Sequence, residues 1–127
     1  MARLKITGQG KTNQIQTEHN AQITLCDYLD RHGLLYFSIP NAGKRGYKSS
    51  SGMKAEGLKA GVPDLFICEP RKVYHGLFIE MKRDAKSRVS EEQKRWIKDL
   101  NNKGYRAEVC RGIDAAITAV NEYLSVK

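Results

Sequence analysis

Apolar positions along the chain recur at helical spacing in three stretches and run nearly unbroken in four shorter ones. From about Thr17 to His32, Ala21, Leu25, Tyr28 and Leu29 share one side of a 3.6-residue repeat, and Gly33 supplies the stop. Leu34 to Ile39 predicts a strand closed by Pro40-Asn41-Ala42-Gly43. Lys44 to Gly57 is rich in Gly, Ser and Lys and predicts a mobile loop, with one helical turn near Met53 to Lys59. Two strands follow, at about 64–69 and 76–83, with Pro70 to His75 as the turn between them. Folding back near residue 72 or 73 places Asp64 opposite Glu80 or Met81. Phe66 and Phe78 then share one face, and Leu65, Ile67, Leu77 and Ile79 the other. Strands apolar on both faces belong in the middle of a sheet covered on both sides.

Ser90-Glu91-Glu92-Gln93 is a capping box, opening a helix that turns Trp96, Ile97 and Leu100 inward until Asn101-Asn102-Lys103-Gly104 ends it. Tyr105 to Arg111 predicts a fourth strand. Asp114 then caps a last amphipathic helix bearing Ile117, Val120 and Leu124. The order α-β-β-β-α-β-α predicts an α/β protein with a mixed four-stranded sheet flanked by helices. Residues 1–14 lack periodicity and are expected to form a flexible arm, with 15–127 as a single domain.

Composition narrows the class. At 127 residues the chain suits one domain, and 40% hydrophobic with 28% charged residues is ordinary for a soluble fold. No apolar run approaches a membrane span, and Met1 to Lys11 has no apolar core of a secretory signal, so a cytoplasmic protein is expected. Cys26, Cys68 and Cys110 are scattered, without a paired metal-binding spacing, and are expected to be reduced and buried. The net charge of +8 favours a polyanionic partner, most simply nucleic acid.

The candidate chemistry lies on the two middle strands. Neighbouring strands are about 4.8 Å apart and alternate residues about 6.6 Å apart, so Asp64, Glu80 and Lys82 can converge on one side of the sheet. Asp64 after Pro63 also fits a turn aspartate. Glu80 and Lys82 also fit a structural ion pair, but a charge on a central strand costs several kcal/mol unless it is paired or binds a metal. Two carboxylates, the Met81 carbonyl and water make a hard oxygen shell suited to Mg²⁺ or Mn²⁺. Such a site suits phosphodiester hydrolysis, with Lys82 orienting water or offsetting charge on phosphorus. His19, His32 and His75 are scattered, and the scheme needs none of them.

Gly61-Val62-Pro63-Asp64 followed by Glu80-Met81-Lys82 resembles the PD-(D/E)xK nuclease signature. Together with Glu18, Pro40-Asn41-Ala42-Gly43, Ser90 to Gln93 and the Gly104-Tyr105 boundary, it resembles the virus-type replication-repair nuclease branch, VRR-Nuc, over about residues 15–125. The resemblance implies a restriction-endonuclease-like αβββαβ core. It also implies that Glu18 completes the metal shell and that Gln93 reaches the catalytic lysine and metal site. On the residues alone, Glu18 also suits a helix-dipole role, and Gln93 a helix cap.

The loop from Asn41 to Lys59 is expected to contact DNA, with Lys44, Arg45 and Lys48 on phosphates and Tyr47 stacked on a base or sugar; Lys86 and Arg88 are expected second contacts. A solvated loop is the alternative. The activity implied is a structure-specific endonuclease acting on branched DNA, such as a four-way junction or flap, as a homodimer. A restriction-type enzyme with sequence specificity and a non-catalytic basic DNA-binding module of the same fold are the alternatives.

Overall fold

A long helix, α1 (Thr12–Arg31), begins the part of the chain that the computed structural model describes, residues 12–40 and 54–127. It starts at Thr12 rather than Thr17, so residues 12–14 of the expected arm are helical, and residues 1–11 lie outside the described ones. Gly33 ends it as expected. With φ at +66°, Gly33 lets its own N–H donate to Asp30 O at 3.0 Å and Leu34 N–H to Leu29 O at 3.1 Å, which satisfies the last carbonyls of the helix.

The remaining elements are β1 (Tyr36–Ser38), β2 (Leu65–Ile67), β3 (Leu77–Lys82), α2 (Glu91–Asn102), β4 (Arg106–Arg111) and α3 (Ile113–Leu124). Their order matches the one read from the sequence. The four strands lie in the order β1-β2-β3-β4. The pairs β1/β2 and β2/β3 are antiparallel and β3/β4 is parallel, so the sheet is mixed. The turn is where the sequence puts it: Arg71 and Tyr74 exchange backbone hydrogen bonds of 2.9 and 2.8 Å around Lys72-Val73. Between β1 and β2, Gly57 N donates to Lys54 O at 3.0 Å, closing a turn inside the expected helical stretch.

Helices α1 and α3 cover one face of the sheet. Leu25 and Leu29 of α1 meet Leu65, Ile67, Leu77, Ile79 and Met81 of the strands, and Ala116, Val120 and Tyr123 of α3 close the same cluster. Each large aliphatic chain buried here contributes roughly 1.5–3 kcal/mol. Two hydroxyls bind the layers, Tyr28 Oη donating to Asn121 Oδ1 and Tyr123 Oη to Glu69 O, both at 2.6 Å. No helix among the described residues is long and apolar enough to cross a membrane.

The opposite face departs from the expected full cover. Helix α2 packs there, and Phe66 stacks on Phe78 with ring centroids 4.3 Å apart, but both rings are only half-buried and Phe37 beside them is 52% exposed. Two smaller corrections concern capping and thiols. The last helix is preceded by Gly112 at φ +95° with no side-chain cap; Asp114 sits inside the first turn, where only the helix dipole favours it. Cys26 and Cys68 are half-buried, and only Cys110 is fully buried.

The segment before β2 is locked in place by a feature the sequence does not announce. Gly61 has φ +89°, and a Cβ there would stand 2.6 Å from Glu92 Cβ and 2.8 Å from the Glu92 carbonyl carbon. Glycine is therefore required twice, by conformation and by the approach of the chain to the first turn of α2. Pro63, two residues on, is fully buried. Gly61→Ala should lower stability by about 2 kcal/mol or more, a fall in melting temperature on the order of 8 °C by calorimetry. Burial pushes the Cys110 thiol up to about 12, so at pH 8 it carries almost no thiolate. A charged thiol reagent should label at most Cys26 and Cys68 in the native protein, and Cys110 only after denaturation.

Candidate active site

The β2/β3 register pairs Leu65 with Ile79 and Phe66 with Phe78, and one step outward sets Asp64 beside Glu80. Asp64 follows the last buried residue of the Gly61–Pro63 segment, and both of its ends are tied. Its carbonyl accepts from Ile39 N at 2.8 Å, and its carboxylate Oδ2 accepts from Met81 N at 2.8 Å. The aspartate thus joins the end of β1 to the end of β3. A turn aspartate bonds the backbone two or three residues away; this one reaches across to another strand.

Glu80 is 1% exposed, Lys82 9% and Gln93 7%, and these are the buried polar or charged side chains among the described residues. All three meet at one oxygen. Glu80 Oε2 accepts from Gln93 Nε2 at 3.0 Å and lies 3.6 Å from Lys82 Nζ. Taking a carboxylate and an ammonium out of water costs several kcal/mol each, and a pair in this setting is often less stable than an apolar replacement of equal volume. The group is therefore poor evidence of stabilisation and good evidence of another use.

Gln93 caps its helix and also reaches Glu80. Its Oε1 accepts from Ser90 N at 2.9 Å while Ser90 Oγ accepts from Gln93 N at 3.1 Å, which is the complete capping box. Because the amide oxygen is taken by the Ser90 N–H, the amide nitrogen is the end that faces Glu80. The cap orients the side chain, and the side chain donates into the site. The Gly61 contact with Glu92 and Gln93 presses the Asp64 segment against this same helical turn.

The backbone supplies a further donor. Along a strand, the N–H and C=O of one residue point toward the same neighbour. Gly112 N donates to Lys82 O at 3.0 Å on the β4 side, so Met81, one residue earlier, turns its carbonyl to the β2 side where Asp64 lies. Its side chain is buried in the opposite core. Two carboxylates and a carbonyl, all hard oxygen donors, thus lie toward the end of β3, and an ammonium and an amide N–H face one of the carboxylates.

The VRR-NUC domain matches residues 12–114 of this chain. A solved "VRR_NUC domain protein" is 32% identical, superposes with a TM-score of 0.73, and pairs 87% of this chain with 89% of its own. The chain belongs to the VRR-NUC family. A second solved chain, a "VRR_NUC domain", is 20% identical with a TM-score of 0.61 over 84% of this chain and 97% of that one, and shows the shared fold. No curated protein matches the chain. VRR-NUC domains are nuclease domains, which accords with hard oxygen donors beside a buried lysine on a basic protein.

Of the other expected site residues of this VRR-NUC chain, Glu18 stands apart from these groups. Glu18 lies half-buried on α1, on the same side as the fully buried Leu25 and Leu29, but α1 packs on the far face of the sheet. Among the described residues no three His, Cys, Asp or Glu side chains gather around one point, so Glu18 is not brought into a cluster with Asp64 and Glu80. Lys86 and Arg88 are exposed on the segment after β3. Asn41, Lys44, Arg45, Tyr47 and Lys48 lie outside the described residues. Sequence reasoning missed Gly61 as the contact to α2. It also missed Asp84 and Arg111, which shape the segment carrying Lys86; the Asp84 carboxyl is held below its usual range, chiefly by the Arg83 guanidinium.

The double use of Gln93 gives a direct test. Gln93→Glu keeps the capping oxygen but replaces the donor to Glu80 with a second carboxyl, so one of the two must hold a proton with a raised pKa. Such a group lends its stability below the unfolded value of about 4.3 and loses it as pH rises through the folded one. The variant should melt near the wild type at about pH 4 and progressively below it toward pH 8, whereas a purely capping glutamine would leave the two melting curves parallel.

Proposed function

We propose that this VRR-NUC protein is a metal-dependent endonuclease that hydrolyses phosphodiester bonds in branched DNA. The observation that carries the proposal is the burial of Glu80, Lys82 and Gln93 around a single carboxylate oxygen beside Asp64. The donor set fits Mg²⁺ or Mn²⁺. Mg²⁺ binds through one or two carboxylates, waters and substrate phosphate rather than in a cage made wholly of protein, so a third carboxylate is not a requirement. Asp64, Glu80 and the Met81 carbonyl would hold the ion. When bound, it would polarise the phosphate and acidify a water.

The protein's own groups do the rest. The Met81 N–H fixes the Asp64 carboxylate, and Gln93 and Lys82 both face Glu80 Oε2 and orient that carboxylate. Lys82, 11% exposed at its side chain, keeps a desolvated positive charge where negative charge grows on the phosphate. Lys86 and Arg88, with Lys44, Arg45, Lys48, Tyr47 and Asn41, would follow the DNA backbone. A helix for major-groove readout is not apparent in the sequence, so selection by DNA shape is favoured. One site cuts one strand; symmetric cutting of a junction needs two, so the working unit would be a homodimer. Leu35 at 72% exposure and Phe37 at 52%, on the edge-strand side of the sheet, offer apolar surface for a second copy.

A cleavage assay in Mn²⁺ on duplex, flap and four-way DNA tests the proposal. Wild type should cut a branched substrate fastest, and Asp64→Ala and Lys82→Ala should each lose about 100-fold or more in rate while still binding it. Equal cutting by all three proteins would refute hydrolysis at this site.

A further inference from the structure

The segment between β3 and α2 is built around one carboxylate. Asp84 Oδ1 accepts from Lys86 N at 2.9 Å, Ser87 N at 3.1 Å and Ser87 Oγ at 3.3 Å, while Oδ2 accepts from Arg83 Nε at 3.0 Å. This is an aspartate serving a turn in the usual way, by capturing the amides two and three residues on. From outside, Arg111 closes the same turn. Its Nη1 donates to Asp84 O at 2.8 Å and Ser87 O at 2.7 Å, and reaches Ala85 O at 3.5 Å. Arg111 is the register partner of Lys82, the last residue of the site strand, so the brace stands directly beside the candidate active site. Lys86 and Arg88 stand exposed on the braced segment.

Both charges are spent on backbone shape. The Asp84 carboxylate takes amides of its own turn, and the Arg111 guanidinium takes carbonyls of the turn from across the sheet end. The segment is otherwise exposed or half-buried. A turn fixed on folding does not lose that freedom again on binding, and cations carried on it meet a ligand at lower entropic cost.

We propose that Asp84 and Arg111 are positioning residues of a preset phosphate-contact turn, holding Lys86 and Arg88 against the DNA backbone beside the scissile bond. The inference rests on the nuclease reading, and it makes a claim opposite in sign to simple charge counting. Asp84 is a negative charge next to a DNA-contacting segment, so charge alone would have its removal strengthen binding.

The test measures affinity of the full chain for a labelled four-way junction by fluorescence anisotropy in EDTA, across a salt series. Asp84→Ala should weaken binding by about 5- to 10-fold despite the loss of a negative charge, and Arg111→Ala by a similar factor. Asp84→Asn keeps the Oδ1 acceptor for both amides and should restore affinity to within about twofold. In a Lys86→Ala/Arg88→Ala background, Asp84→Ala and Arg111→Ala should add little further loss, because the cations they position are gone. Tighter or unchanged binding by Asp84→Ala, or losses that add in full in that background, would overturn the proposal. Should Arg111→Ala fail to fold, the Asp84 pair decides alone. Cleavage of the junction by wild type in Mn²⁺ is the separate control: its absence removes the nuclease reading, whereas the EDTA affinities judge the turn itself.

Discussion

A carboxylate on a middle strand of a sheet, 1% exposed, is expensive to keep charged, and Glu80 sits in that position. Much of the surrounding structure is organised around meeting its cost. Lys82 comes from the same strand two residues on, and Gln93 from the helix that covers that face. Removing Lys82 breaks a buried ion pair, at about 3–5 kcal/mol, whereas removing Gln93 takes away a hydrogen bond and leaves the pair. Replacing the whole group with apolar side chains would relieve the fold of its most costly feature. This chain holds there instead oxygen donors at a strand end, with an ammonium kept out of water.

The arrangement depends on two local devices that share one turn of helix. The first turn of α2 presents Gln93 through a capping box whose geometry decides which end of the amide faces Glu80. The same turn receives Gly61 at a distance that no side chain would tolerate. From there the chain runs through buried Pro63 to Asp64, which reaches across to the Met81 amide. Helix, loop and two strands are thus coupled through a handful of short contacts, and the aspartate and glutamate are set side by side by backbone geometry.

Much of this was legible in the residues. The turn at Lys72-Val73 fixes the hairpin register, and the register fixes Asp64 beside Glu80; period-two alternation and turn chemistry are local signals that survive without a structure. The Ser90–Gln93 box was legible for the same reason, being four consecutive residues. What the sequence withheld is non-local or conformational. Nothing in the string around Gly61 says that Glu92 lies against it, and nothing near Arg111 says that its guanidinium closes a turn beginning at Asp84. Asp114 looked like a cap because aspartate favours that position, but Gly112 at φ +95° turned the chain two residues earlier. The Phe66/Phe78 face looked fully covered because its residues are aromatic; α2 leaves Phe37 half-open at the β1 side.

In the proposed function, Asp64 and Glu80 are kept together to share a divalent cation. Calorimetric titration of Mn²⁺ into the folded protein, comparing wild type with Glu80→Gln, addresses this without any DNA present. Wild type should show saturable binding that the neutral isostere, still folded, has lost. Identical titration curves for the two proteins, or no binding by either, would contradict it.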